Sequence, residues 1–145
     1  MTVREVQAGE TRRVAHAMLE LRPHLGSPDG VAARVDELRS GGYRVAASFE
    51  EGDDQAAAVA GFRVAASLAW GRHVYVDDLV TRAQLRGRGH ADAVMAWVAD
   101  EGRRLGCEQL HLDSGVGADR ADAHRFYFRH GMRIVSYHFA RGLDP

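Results

Sequence analysis

A chain of 145 residues with 46% hydrophobic and 27% charged side chains can bury one core without metal or disulfide staples, and a single domain over residues 1–145 is expected. The net charge of −1 supplies no basic field that would draw the chain onto nucleic acid or an anionic membrane, so neither is expected as a partner. One cysteine, Cys107, excludes an internal disulfide framework; with no apolar leader and no apolar run near the ~18 residues that span a bilayer, a soluble, cytoplasmic protein is expected.

In chain order, Thr2–Gln7 alternates as a short strand does. Thr11–Leu21 sets Val14, Met18 and Leu21 along one helical face, with Thr11 as a candidate N-cap. A loop at Leu25–Gly30 precedes a second helix through Leu38, for which Asp29 is the candidate cap and Gly41-Gly42 the stop. Tyr43–Phe49, Ala56–Ala66 and His73–Thr81 read as strands of an antiparallel meander, with turns at Glu51–Asp54 and Trp70–Arg72. From Gly87 the period changes: Ala91, Val94, Met95, Val98 and Leu105 recur at helical spacing as far as Gly106. Gln109–Asp113 is predicted as a strand, Asp119–Arg129 as a helix and Met132–Phe139 as a closing strand. The order βααβββαβαβ predicts an α/β fold with a mixed sheet.

The segment Val74–Ala91 carries the most chemical information. A strand ends near Thr81, a short loop follows, and a helix begins at Gly87 and Gly89. A helix N-terminus offers unpaired N–H groups and a positive dipole end to a phosphate, and glycines let the anion approach the backbone closely. Arg86, Arg88 and His90 would add donors at its rim. The glycine pair alone is weak, because 16 glycines generate roughly one or two Gly-x-Gly triplets by chance, and Gly115-Val-Gly117 is another. A dinucleotide-binding reading fails, since Asp92 stands at the third glycine and too little chain follows Asp113.

Placed after a strand and opening an amphipathic helix, Gln84-x-x-Gly87-x-Gly89 resembles the acetyl-CoA signature of the GNAT superfamily of N-acetyltransferases. Downstream, Cys107–Leu112 is similar to the strand that follows in that family, and Ala123-x-x-Phe126-Tyr127-x-x-x-Gly131-Met132 to its helix-to-strand element, with Met132 in place of the usual Phe. The resemblance implies a mixed, mostly antiparallel sheet flanked by about four helices. It implies acetyl-CoA as cosubstrate and direct attack by an amine in a ternary complex; a small-molecule primary amine is the expected acceptor, with polyamines, aminoglycosides, aminophosphonates, amino acids and protein N-termini all open, and no metal is expected. It also implies that the backbone of Arg86, Gly87, Arg88, Gly89, His90 and Ala91 holds the CoA pyrophosphate, while Leu79, Val80 and Thr81 face the pantetheine arm. Arg120 stands where the family often has Asn near CoA. All 19 basic residues are Arg, Lys and Asn are absent, and Ile134 is the only Ile. These missing types share A/T-rich codons, so a G/C-rich bacterial genome is the expected reason for the departure. A homodimer is compatible with the resemblance.

The reaction makes two demands. An alkyl ammonium, with a pKa near ~10.4, must lose a proton before it attacks, and the departing thiolate leaves more easily if protonated. Tyr127 corresponds to the family's general acid; read from its own surroundings, Phe126-Tyr127-Phe128 is equally an aromatic run packing a helix. For the base, Val74–Val80 resembles the matching strand of polyamine acetyltransferases, which selects Asp77. Period 2 sends Asp77 and Asp78 to opposite faces, with Tyr75 and His73 sharing the face of Asp77 as reserves. His111, His124, His130 and His138 show no metal-ligand spacing, and Asp113-Ser114 with His124 lacks a nucleophile elbow. His124 and His138 are candidates for the acceptor pocket, and Cys107 is expected to be inert. The competing reading is a non-catalytic acyl-CoA-binding or sensing module, which needs the glycine loop but neither Tyr127 nor Asp77.

Overall fold

The computed structural model describes residues 1–144, which divide into two compact units, residues 1–111 and the segment from Leu112 onward. The first holds β1 (Thr2–Glu5), α1 (Ala15–Leu21), α2 (Pro28–Arg39), β2 (Arg44–Phe49), β3 (Ala58–Ser67), β4 (Gly71–Thr81) and α3 (His90–Arg104). β5 (Gln109–Leu112) closes it, and α4 (Ala121–Arg129) is the helix of the second unit. Strand order in the sheet is β1-β2-β3-β4-β5, with the first three pairings antiparallel. β4 and β5 are joined through α3, the crossover that a parallel pair requires. The Glu108 N–H donates to the Arg72 carbonyl at 3.0 Å, setting the starts of these two strands side by side.

Each sheet face has its own core. On one, Val45, Ala47, Phe49, Val59 and Val80 pack with Val14 and Met18 of the first helical segment and Val31 and Val35 of α2. On the other, Ala46, Ala58, Ala60, Phe62, Val74 and Val76 lie under Val94, Met95 and Val98 of α3, all buried. Small side chains on β2 and β3 let the helices come close. Gly102 marks the tightest approach: a Cβ there would meet Val74 Cγ2 at 2.7 Å.

Two expected caps are replaced. Thr11 opens a 3-10 turn (Thr11–Val14) ahead of α1, and its hydroxyl donates to Asp36 Oδ1 at 2.6 Å instead of capping. Ser27, not Asp29, caps α2, its Oγ accepting from the Gly30 N–H at 3.0 Å. Pro28 explains the shift: it lacks an N–H and its fixed φ suits the first helical position, which makes the residue before it the cap. Asp29 lies in the first turn and pairs with Arg12 at 2.6 Å.

In the second unit α4 ends in a Schellman motif. Gly131 takes φ +78°, with Met132 N–H donating to Tyr127 O and Gly131 N–H to Phe128 O, both at 3.0 Å. The closing strand expected over Met132–Phe139 does not form. A strand is stable only when its N–H and C=O groups join a ladder, and the segment finds no strand partner within its own unit. Beyond Met132 its apolar residues are exposed, Ile134 at 76% and Phe139 at 93%. No helix among the described residues is long and apolar enough to cross a membrane.

Candidate functional site

The loop between β4 and α3 is held from three directions. Arg82 N–H donates to Ala57 O at 2.8 Å and its guanidinium pairs with Asp53 at 2.9 Å. Glu20, at the end of α1, accepts from the Ala83 N–H at 2.8 Å and so caps the 3-10 turn Ala83–Leu85. Gly87 and Gly89 then take φ of +79° and +85°, a left-handed backbone that side chains resist, and open space lies where a Cβ would sit on either. Among the described residues no acceptor meets the N–H groups of Gly87 or Gly89. They lead into the first turn of the 15-residue α3, whose own N–H groups have no intrahelical partner. Unpaired donors, a helix-dipole end and bare glycines together fit a diphosphate. A shallow cavity of about 180 Å³, lined by Met1, Glu50, Glu51, Arg88 and His90, adjoins the loop.

The rim differs from expectation. The His90 side chain is turned inward, 2% exposed, with Nδ1 2.5 Å from Ser48 Oγ and Nε2 3.1 Å from Glu50 Oε1. The same Glu50 oxygen accepts from Arg88 Nη1 at 2.8 Å, and both contacts hold the Glu50 carboxyl below its usual range, His90 first. His90 is therefore an anchor of the loop and not a donor at its edge. Arg86 Nε reaches back to Thr81 O at 3.4 Å, and Gln84 is exposed. Leu79, Val80 and Thr81 pair with Ala60, Val59 and Ala58 of β3. β5, with four residues, is too short to run beside all eleven of β4.

A register shift sits where the sequence placed the base. Gly61 opposes Asp78 and Phe62 opposes Val76, so Asp77 has no cross-strand partner and forms a β-bulge. The alternation of β4 resets there. Val74 and Val76 lie toward α3, whereas Val80 belongs to the α1/α2 core. Asp77 is gripped through two bonds by Arg63, Nε at 2.7 Å and Nη2 at 2.8 Å, and Arg63 also lies over the Tyr75 ring. Asp78 accepts from Arg22 Nε at 3.0 Å and from the Tyr43 hydroxyl at 2.7 Å. Burial, then the Asp78 charge, push the Tyr43 phenol far above its usual range. Gly61 leaves room for that hydroxyl, which a Cβ at position 61 would strike. The bulge thus turns both carboxylates to the α1/α2 side; the expectation that they face opposite ways is corrected. Arg22, Tyr43 and Arg63 were not legible as site residues, because nothing local marks an arginine or tyrosine that meets its partner across the fold.

Further along that face, Trp70 stacks on His111 with centroids 3.7 Å apart, and Tyr75 lies 6.5 Å from each ring. Burial, then the neighbouring His73, depress the His111 pKa. In the second unit Tyr127 is half-buried, and burial raises its phenol pKa against the opposing charge of Arg120. His124 Nε2 lies 2.8 Å from Gly115 O and 3.1 Å from Ser114 Oγ, and His138 pairs with Asp113 at 3.2 Å. Among the described residues no group of three His, Cys, Asp or Glu side chains is arranged to hold a metal.

Comparison with known proteins fits this geometry. The model of the acetyltransferase (GNAT) family matches residues 13–132. An uncharacterized N-acetyltransferase of Bacillus subtilis, YhdJ, is 37% identical over 76 residues, 52% of either chain. The aminoalkylphosphonate N-acetyltransferase of Salmonella typhimurium is 32% identical over 68 residues, 47% of this chain and 43% of its own. The chain therefore spans about half the length of the curated relatives it matches. Among solved structures, glucosamine-6-phosphate N-acetyltransferase of Arabidopsis thaliana superposes with a TM-score of 0.74 at 22% identity, covering 99% of this chain and 98% of its own. At that identity the likeness speaks for the fold.

Proposed function

The chain belongs to the acetyltransferase (GNAT) family, and we propose that it moves an acetyl group from acetyl-CoA to the primary amine of a small molecule, by direct attack while both are bound. The observation that carries this reading is the loop at Gly87 and Gly89: two left-handed glycines, free donors and a helix start, shaped for a diphosphate. In this reading the backbone from Arg86 through His90 to Ala91 holds the pyrophosphate, and Leu79, Val80 and Thr81 present strand edge to the pantetheine arm. Gln84 and Arg120 contact CoA outside the loop. The name of the Salmonella relative supports a small amine as acceptor.

In this reading the proton path uses Asp77 and Tyr127. The ammonium gives one proton to a carboxylate at the bulge, Asp77 in our reading, directly or through water. The amine nitrogen then bonds to the acetyl carbon, the C–S bond breaks, the Tyr127 hydroxyl protonates the departing thiolate, and the second nitrogen proton, released as the amide forms, restores the Tyr127 phenol. A phenol whose pKa is raised by burial keeps the proton it must donate.

One observation favours the alternative, an acyl-CoA-binding module without turnover: each carboxylate at the bulge is already engaged by an arginine. An amine-panel assay separates the two. Thiol release with an acetylated product identified by mass supports the enzyme; tight CoA binding with no release from any amine supports the module.

A further inference from the structure

We infer that the acceptor is an amine that also carries an oxyanion, such as a phosphonate, phosphate or carboxylate, and that Arg22 and Arg63 recognise this second group. The inference rests on the acetyltransferase reading and names the substrate class of that site. The bulge gathers two carboxylates, Asp77 and Asp78, and two guanidiniums, Arg63 and Arg22, each paired with its own partner at 2.7 to 3.0 Å. The four formal charges cancel. A polyamine, the acceptor class that the strand sequence alone brings to mind, meets no surplus negative charge here. To bind, it would have to displace an arginine from a carboxylate and leave that guanidinium with water in place of an anionic partner, so it exchanges one ion pair for another and gains none.

A molecule with one charge of each sign has no such difficulty. Its oxyanion takes a guanidinium and its ammonium takes the carboxylate set free, so one ion pair breaks, two form, and no charge is left without a partner. The order of exposure favours this exchange. Arg22 and Arg63 side chains are 44% and 45% exposed, whereas Asp78 and Asp77 are 17% and 29% exposed. An incoming solute meets the guanidiniums first, and their planar forks suit a two-pronged oxyanion. Tyr43 holds Asp78 in place from behind while the exchange proceeds. The exchange also supplies the base that the resting site lacks: drawing Arg63 away from Asp77 releases a carboxylate beside the ammonium it must deprotonate.

The test compares two aminoethyl compounds, with and without an oxyanion, and a diamine. Aminoethylphosphonate, ethanolamine and putrescine are offered with acetyl-CoA, and kcat/KM is measured for the wild type, Arg22→Gln and Arg63→Gln. The expected result is a preference for the phosphonate of about tenfold or more over ethanolamine, with putrescine poorest. In at least one arginine variant the ratio of phosphonate to ethanolamine collapses toward unity. The ratio is read within each variant, so a general loss of active protein does not move it. Putrescine as the best acceptor, or an unchanged ratio in both variants, overturns the inference and leaves the acetyltransferase reading standing. Absence of thiol release with every amine overturns both.

Discussion

Ser48 and His90 meet at 2.5 Å, hydroxyl oxygen to ring Nδ1, although one lies in β2 and the other in the first turn of α3. Both are buried, Ser48 completely. With Glu50 on the other ring nitrogen, the imidazole ties the glycine loop to the strand beneath it. His90→Leu fills similar space and strands a buried hydroxyl, at a cost of about 1–3 kcal/mol. Ser48→Ala in the His90→Leu background recovers most of that loss, because a buried polar group without a partner costs more than an apolar pair. Thermal melts of the single and double variants check this. On the proposed function, KM for acetyl-CoA rises several-fold in His90→Leu, with a smaller change in kcat.

Gly87→Ala and Gly89→Ala meet no steric neighbour, so their effect is purely that of the left-handed backbone, about 1–2 kcal/mol each. The larger effect is expected on ligand binding, since relaxing the loop turns its N–H groups away. Calorimetric titration with CoA should show weakening of about tenfold or more.

Gly61→Ala has a different mechanism. The glycine lies in extended strand, and the new methyl group strikes the Tyr43 ring. Displacing a buried phenol from Asp78 costs about 2–3 kcal/mol. Tyr43→Phe, which loses only the hydroxyl, costs about 1 kcal/mol. Denaturant unfolding of the two variants distinguishes a clash from a lost hydrogen bond.

Glu101 accepts from Arg104 and Arg44, and these contacts, Arg104 first, hold its carboxyl at about 2 against an ordinary 4.5. A carboxyl depressed in the folded state stabilises fully above its unfolded pKa, and that contribution is lost as pH falls from 4.5 toward about 2. Glu101→Gln should cost about 1–2 kcal/mol at neutral pH. The difference from wild type should shrink across that acid window, as Tm measured against pH would show.

Tyr127→Phe tests the proposed acid. It is expected to lower kcat by about a hundredfold with little change in KM for acetyl-CoA. The proton donor must remain protonated, so wild-type activity should persist until pH passes a value above the usual 10.0 of a phenol and then fall. The Phe variant should lose that alkaline limb from its pH profile.

The sequence by itself determined the glycine loop, the amphipathic helix behind it and the antiparallel meander. These rest on residues within a few positions of one another: helical spacing from Ala91 to Val98, alternation along β4, and glycines free to adopt a positive φ. Only the tertiary structure decided which way the charged groups turn. One unpaired residue in β4 brings Asp77 and Asp78 to a common face, and their partners Arg63 and Arg22 come from 14 and 56 positions away. His90 has the sequence position of a rim donor, but Ser48, 42 residues distant, holds its ring inward. The Met132–Phe139 segment has the alternation of a strand and no partner in its own unit to make it one. Periodicity specifies the face a residue can occupy, whereas pairing depends on what the rest of the chain delivers to that face, and such encounters leave no local trace.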